Sequence, residues 1–118
     1  MKKLTVLTVS QEKYPPLHLE LADSFWERFR GLMLRESLPE GTGLYIVPCN
    51  SIHMLFMRFS IDAVFLDKEG KIVKLARSLP PWIGMSIALG AEGVLELPVG
   101  TIERYQWKVG DGLMLAEE

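Results

Sequence analysis

The stretch CNSIHMLFMRFSIDAVFLD, residues 49–67, holds the chain's single cysteine, Cys49, and one of its two histidines, His53, in one of its most apolar runs. Its reading decides the fold, because residues 51–57 and 61–67 have the composition of strands. If residues 49–53 are extended, they span about 13 Å at the strand rise. A nucleophile and its base must approach to about 3 Å, so Cys49 and His53 make no local dyad. Pro48 and the flanking strand pattern argue against a helix that would bring them together. A free cysteine is usually a small core side chain. Residues 49, 51 and 53 still share one strand face, so Cys49, Ser51 and His53 can line a pocket without touching. The stretch is expected to be a core strand, with His53 facing a shallow cavity.

Working outward, Leu4, Val6 and the Thr/Val alternation to Val9 read as a first strand. LHLEL (17–21) alternates with period two, placing His18 and Glu20 on one face and the leucines on the other. ADSFWERFRGLMLR reads as a short helix: Ser24 and Glu27 have capping-box spacing, Phe25, Trp26 and Phe29 form an apolar stripe, and Gly31 can end it. GLYIV is a strand closed by Pro48. DKEGK (67–71) is hairpin-turn chemistry, with KIVKLARSL as the returning strand. PPWIGMSIALGAEG is a long loop and VLELP a strand. VGTIERYQW fits a helix with Thr101 as N-cap, and KVGDGLML turns into a last strand. Many short strands, two short helices and no βαβ rhythm predict an α+β, mainly β domain. The expected form is a small antiparallel β-barrel or strongly bent sheet, as one domain over residues 1–118.

Composition agrees with an ordinary globule: 118 residues, 48% hydrophobic and 24% charged. Thirteen Lys+Arg against 15 Asp+Glu give a net charge of −2, which does not favour nucleic acid. One cysteine makes no internal disulfide. The N-terminal apolar run stops at Thr5, Thr8 and Ser10, too early for an export signal, and no run reaches the ~18 apolar residues of a membrane span. A cytoplasmic location is expected.

Three motifs recur in one order: Arg28-x-Arg30-Gly31-Leu32-Met33-x-Arg35; SIHMLFMRFSIDAVFLDKEGKIV around Met54 and Asp62; and LELPVG followed by VGD, with Glu96, Gly100, Gly110 and Asp111. Together they resemble the prokaryotic family called domain of unknown function 192, over about residues 17–115. The resemblance implies a compact β-rich fold and no established activity. Many members have an aromatic-Trp-Met-Lys-Asn-Thr run where this chain has Ile52-His53-Met54-Leu55-Phe56-Met57, so anything that Lys and Asn bind is not bound identically here. Many also carry an export signal, which is not expected in this chain.

Guanidinium forks suit carboxylate or phosphate, so Arg28, Arg30 and Arg35 are candidate ligand-binding residues, with His53 and Trp82. The competing expectation is structural: the arginines pair with Asp62, Glu96 and Asp111, each at the edge of an apolar segment where a charge needs a partner. Asp62 is expected to cap the turn after Phe59-Ser60, and Asp111 to close an Asx turn after Gly110. One Cys and two His make a poor zinc set, and no catalytic triad, phosphate loop or paired-carboxylate motif is present. No metal or cofactor is expected. The sequence therefore points to a non-enzymatic binding module. Its groove would be rimmed by the 79–90 loop, with an anionic small molecule or a protein as partner. Alternatives are a hydrolase using Asp62 or Glu96 with His53, and a structural protein that self-associates through its apolar loop.

Overall fold

The computed structural model describes residues 2–8, 15–33 and 35–117. The first strand is β1, Lys2–Thr8; its expected extension to Val9, and the polar run after it, lie outside the described residues. β2, Leu17–Ala22, keeps its period of two, with Leu17 and Leu19 buried and His18 exposed. The helix α1, Phe25–Arg30, starts with the expected capping box: the Glu27 N–H donates to Ser24 Oγ at 3.2 Å, and the Ser24 N–H reaches back to Glu27 Oε1 at 3.4 Å. Gly31 ends the helix at φ 48°. The expected apolar stripe fails at Phe29, which is 58% exposed. A helix of two turns has room to bury only one narrow side.

β3 (Thr42–Ile46), β5 (Ile61–Leu66), β6 (Ile72–Leu79), β8 (Gly93–Pro98) and β9 (Leu113–Glu117) complete a seven-stranded sheet in the order β6-β5-β8-β3-β2-β1-β9. The sheet is mixed, not antiparallel, because β2 and β3 run parallel from His18↔Thr42 to Ala22↔Ile46. A parallel pair needs a crossover of a dozen or more residues. The segment containing α1 supplies it, so one βαβ step exists after all.

The two outer strands meet at one corner, where Gly110 and Leu113 N–H groups donate to Ile72 and Gly70 carbonyls and Lys71 bridges Gly112. A sheet whose outer strands touch is strongly bent, but this contact is one bridge and not a ladder, so the barrel is not closed.

Residues 49–67 divide differently from expectation. β5 is buried throughout, as a strand covered on both faces should be. β4 is only Ser51–His53, and 54–60 are turns. Cys49 precedes the strand. The 79–90 loop is not structureless: β7, Met85–Ile87, pairs antiparallel with β4 to make a separate ribbon. Backbone bonds from Met54 N–H to Gly84 O and from Trp82 N–H to Met54 O lock its turn end. α2, Thr101–Tyr105, takes Gly100 as N-cap; Thr101 is already helical, and its hydroxyl donates to Pro98 O at 2.7 Å.

The sheet has two covered faces. On one, Leu17, Leu19, Val64, Leu95 and Leu97 pack with Ile102, Tyr105 and Trp107 of the α2 region. On the other, Ala22, Leu44, Ile46 and Phe65 pack with Leu32 behind α1 and with Ile52, Met54 and Met57 of the ribbon. No described helix is long and apolar enough to cross a membrane.

Candidate functional site

In the LEL of β8, Leu95 and Leu97 belong to the α2 face. Alternation sends Glu96 to the other face, under α1 and the ribbon. Its side chain is 4% exposed, and among the described residues Oε1 has no hydrogen-bond partner. Burial pushes its carboxyl up to about 7, against the opposing pull of the Arg35 charge. Gly31 roofs the group: a Cβ there would sit 3.3 Å from Glu96 Oε1, and φ 48° is a conformation suited to glycine.

A cavity of about 60 Å³ opens beside this carboxyl, lined by Glu96, Arg28, Arg30, Cys49, Ser51 and His53, among others. That is room for a few waters or one small polar group. α1 delivers the two arginines. Arg28 donates through Nε to Ser24 O at 3.4 Å and through Nη1 to Pro48 O at 3.2 Å, which leaves further N–H groups for a ligand. The Cys49 thiol donates to Ser51 O at 3.0 Å. Burial raises its pKa and the Glu96 charge adds to this, with Arg28 opposing. It is a protonated thiol, not an activated nucleophile. His53 Nδ1 accepts from the Leu55 N–H at 3.3 Å, so a neutral ring carries its proton on Nε2, as a donor.

The residues singled out from the sequence separate into distinct places. Arg28, Arg30 and His53 share the cavity with Glu96, and Cys49 and Ser51 line it as expected. Arg35 lies in a second, shallower depression of about 440 Å³ with Lys3, His18 and Thr42. It pairs there with Glu20 at 3.5 Å, not with Asp62, Glu96 or Asp111. Trp82 stands apart on the ribbon, 53% exposed, its ring 5.1 Å from that of Phe56. Ile52 of the ribbon packs inward while Met85 and Ile87 are exposed, and at the end of the 79–90 segment Leu89 and Gly90 line a hollow of about 410 Å³ with Asp67 and Glu92.

Asp62 belongs to neither group. Its carboxylate accepts from the N–H groups of Ser78 at 3.0 Å and of Gly100 and Ile102 at 3.1 Å. It anchors the start of α2 and a kink in β6; it does not cap the turn at 59–60. Asp111 does close a turn, accepting from the Lys108 N–H at 2.9 Å. The sequence reading undervalued Glu96. The available signal was a carboxylate inside a strand with leucine on both sides, which becomes decisive only once β8 is known to be central.

The sequence profile of the family DUF192, described as an "Uncharacterized ACR", matches residues 5–115. A UPF0127 protein of Pyrococcus furiosus is 34% identical over 113 residues, covering 92% of this chain and 95% of the relative. A UPF0127 protein of Thermococcus sibiricus is 39% identical over 98 residues; the alignment covers 79% of this chain and only 62% of that relative's length. The fold is shared with a crystal structure from Sinorhizobium meliloti described as a "putative transcription regulator", with TM-score 0.83 and 24% identity over 96% of this chain and 92% of that one. It is also shared with a protein of unknown function from Novosphingobium aromaticivorans, with TM-score 0.79 and 24% identity over 95% of this chain and 83% of that one. At that identity the likeness concerns the fold alone.

Proposed function

This chain belongs to the DUF192 family, whose description assigns no activity, and from the site itself we propose that the cavity at Glu96 binds a small anionic ligand. The observation that carries this is the buried, unpartnered Glu96 Oε1 in a cavity with two arginines. A buried polar atom without a partner is uncommon in a folded protein and calls for an explanation. The arginine forks of Arg28 and Arg30 take a carboxylate or phosphate, and the His53 N–H is a further donor. Glu96 then hydrogen-bonds a hydroxyl or amine carried beside that anion. The fitting ligand class is small hydroxy- or amino-substituted acids that send one polar group into the cavity. Its apparent affinity falls as pH rises through 7, because an ionised Glu96 repels the anion.

The test is a thermal-shift screen of such compounds at pH 6 and pH 8. A ligand at one hundred times its Kd adds about 2.7 kcal/mol of apparent stability. The reading expects a shift that is larger at pH 6, lost in Arg30→Ala, and independent of pH in Glu96→Gln. No shift from any anion at either pH would overturn it.

A second reading has one observation in its favour: Glu96 and His53 line the same cavity, as an acid–base pair for hydrolysis requires. Turnover of a panel of esters and phosphoesters, abolished in both Glu96→Gln and His53→Gln, would select it. Asp62 has no place in that mechanism, since it lies in the α2 anchor. The net charge of −2 disfavours nucleic acid as a partner, and cell fractionation would check the cytoplasmic location expected from the early end of the N-terminal apolar run.

A further inference from the structure

We propose that the depression beside Arg35 is a second ligand site, selective for an acidic α-amino acid. It lies on the same sheet face as Glu96 but apart from it. The register runs Lys3↔Glu20, Glu20↔Leu44 and Leu44↔Glu96, so Leu44 stands between the two carboxylates. Two strand spacings separate them, about 10 Å. The cavity at Glu96, about 60 Å³, takes one polar group; this hollow, about 440 Å³, takes a whole small molecule.

The order of charges selects the ligand. Glu20 lies between two cations. Lys3 faces it across the β1–β2 ladder, where opposite residues share a face. Arg35 reaches it from the segment after α1, Nη1 to Oε1 at 3.5 Å. That contact is long for a charge-assisted bond, and it is the one ion pair Arg35 makes among the described residues. The Arg35 side chain is 28% exposed, so a guanidinium with five donors is largely withdrawn from water around one long bond. Lys3 is exposed, and no described acid pairs with it. The row reads plus, minus, plus. Its complement is minus, plus, minus: an ammonium on Glu20, one carboxylate on Arg35 and a second on Lys3. A simple monoanion gives Glu20 nothing, and a diacid without an amine meets it with repulsion.

The walls are set before a ligand arrives. Thr42 donates both its backbone N–H, at 3.1 Å, and its hydroxyl, at 2.5 Å, to Pro39 O. The His18 N–H donates to Gly41 O at 2.9 Å. These bonds fix the turn that carries Leu38 and Pro39 at the rim of the hollow. Leu38 also packs against the core of the α1 face, which keeps it from folding into the space. Leu38 and Pro39 offer an apolar flank to the methylene groups between the two carboxylates. A preformed hollow with an apolar flank and a few converging polar groups is the usual form of a small-molecule site.

The experiment is isothermal titration calorimetry of the full chain, as the parent and as Arg30→Ala, which takes the Glu96 cavity out of the readout. The probes are L-glutamate, glutarate, which lacks the amine, and L-glutamine, which lacks the second carboxylate. L-Glutamate is expected to bind Arg30→Ala at least about tenfold more tightly than glutarate and about threefold more tightly than L-glutamine. Each further change is made on Arg30→Ala. Arg35→Gln should weaken L-glutamate at least about tenfold, and Lys3→Gln, at an exposed position, about threefold. Glu20→Gln should erase the preference for L-glutamate over glutarate. A half-exposed ion pair adds little to stability, so each variant should melt within a few degrees of Arg30→Ala. Failure of L-glutamate to bind either form overturns the proposal, as do equal affinities for the three probes or an unchanged affinity in Arg35→Gln. Binding to the parent that vanishes in Arg30→Ala assigns the ligand to the cavity at Glu96; it overturns the second site and leaves the reading of that cavity standing.

Discussion

The two faces of the sheet each bury one carboxylate, one residue apart in the ladder: Asp62 stands opposite Leu97, and Ala63 opposite Glu96. Asp62 is 2% exposed and Glu96 4%, so burial does not distinguish them. Bonding does. Asp62 collects three backbone N–H groups and ties β5, β6 and α2 together. Glu96 keeps an oxygen that no described residue satisfies. Three hydrogen bonds to the charged form offset the loss of water; none leaves the group to be neutralised by a proton or satisfied by a ligand. The α2 face thus holds its carboxylate by bonds within the fold, and the α1 face leaves one carboxylate oxygen without them.

The comparison can be broken most directly at Asp62. Asp62→Ala orphans three N–H groups, two of them at the start of α2, and should cost about 3–5 kcal/mol, read as a lowered denaturation midpoint. A loss below about 1 kcal/mol would remove the contrast. Glu96→Gln sharpens it through pH. The folded carboxyl sits at about 7 against an ordinary 4.5, so between those values the folded state holds a proton that the unfolded chain releases. The cost is absent below the lower value and complete above the upper one, at roughly 3 kcal/mol. Glu96→Gln should match the parent near pH 4.5 and exceed its stability by that order at pH 8.5; parallel stability–pH curves would refute this. Gly31→Ala strains the backbone by about 1–2 kcal/mol and puts a methyl over Glu96, so ligand response should fall with stability. Ser24→Ala removes half of the α1 capping box and should cost about 1 kcal/mol, with the thermal-shift response of the cavity kept.

Local chemistry was legible in the sequence where a few neighbouring residues settle the conformation. The capping box at Ser24, the stop at Gly31, the turn at Gly70 and the alternation of LHLEL all lie where they were expected. What depended on distant partners was not legible. The parallel pairing of β2 with β3 is set by a crossover, not by either strand's composition. The ribbon strand β7 has only three residues, too few for a period to show. Asp62 was given a local turn because its true partners, Gly100 and Ile102, lie 38 and 40 residues away. For the same reason Arg35 was not matched with Glu20, its ion-pair partner, whereas Arg28 and Arg30 do share a cavity with Glu96, one of the acids expected for them. The cavity was half visible: the shared face of Cys49, Ser51 and His53 was readable from spacing, but the carboxyl that completes it comes from β8.

The corner where Gly70 and Ile72 meet Gly110 and Leu113 bears on how the chain folds. β9 completes the sheet by pairing with β1, Leu4 opposite Glu117, so β1 waits for a strand far later in the chain. Sheets dominated by such distant pairings cross their barrier in milliseconds to seconds, not microseconds. During synthesis β1 has β2 as its only neighbour until β9 leaves the ribosome, and until then its outer edge is open to other chains. Changes at Lys71 or Gly112 test the order of these steps: if the corner bonds form after β9 pairs with β1, they speed unfolding and leave the folding rate almost untouched.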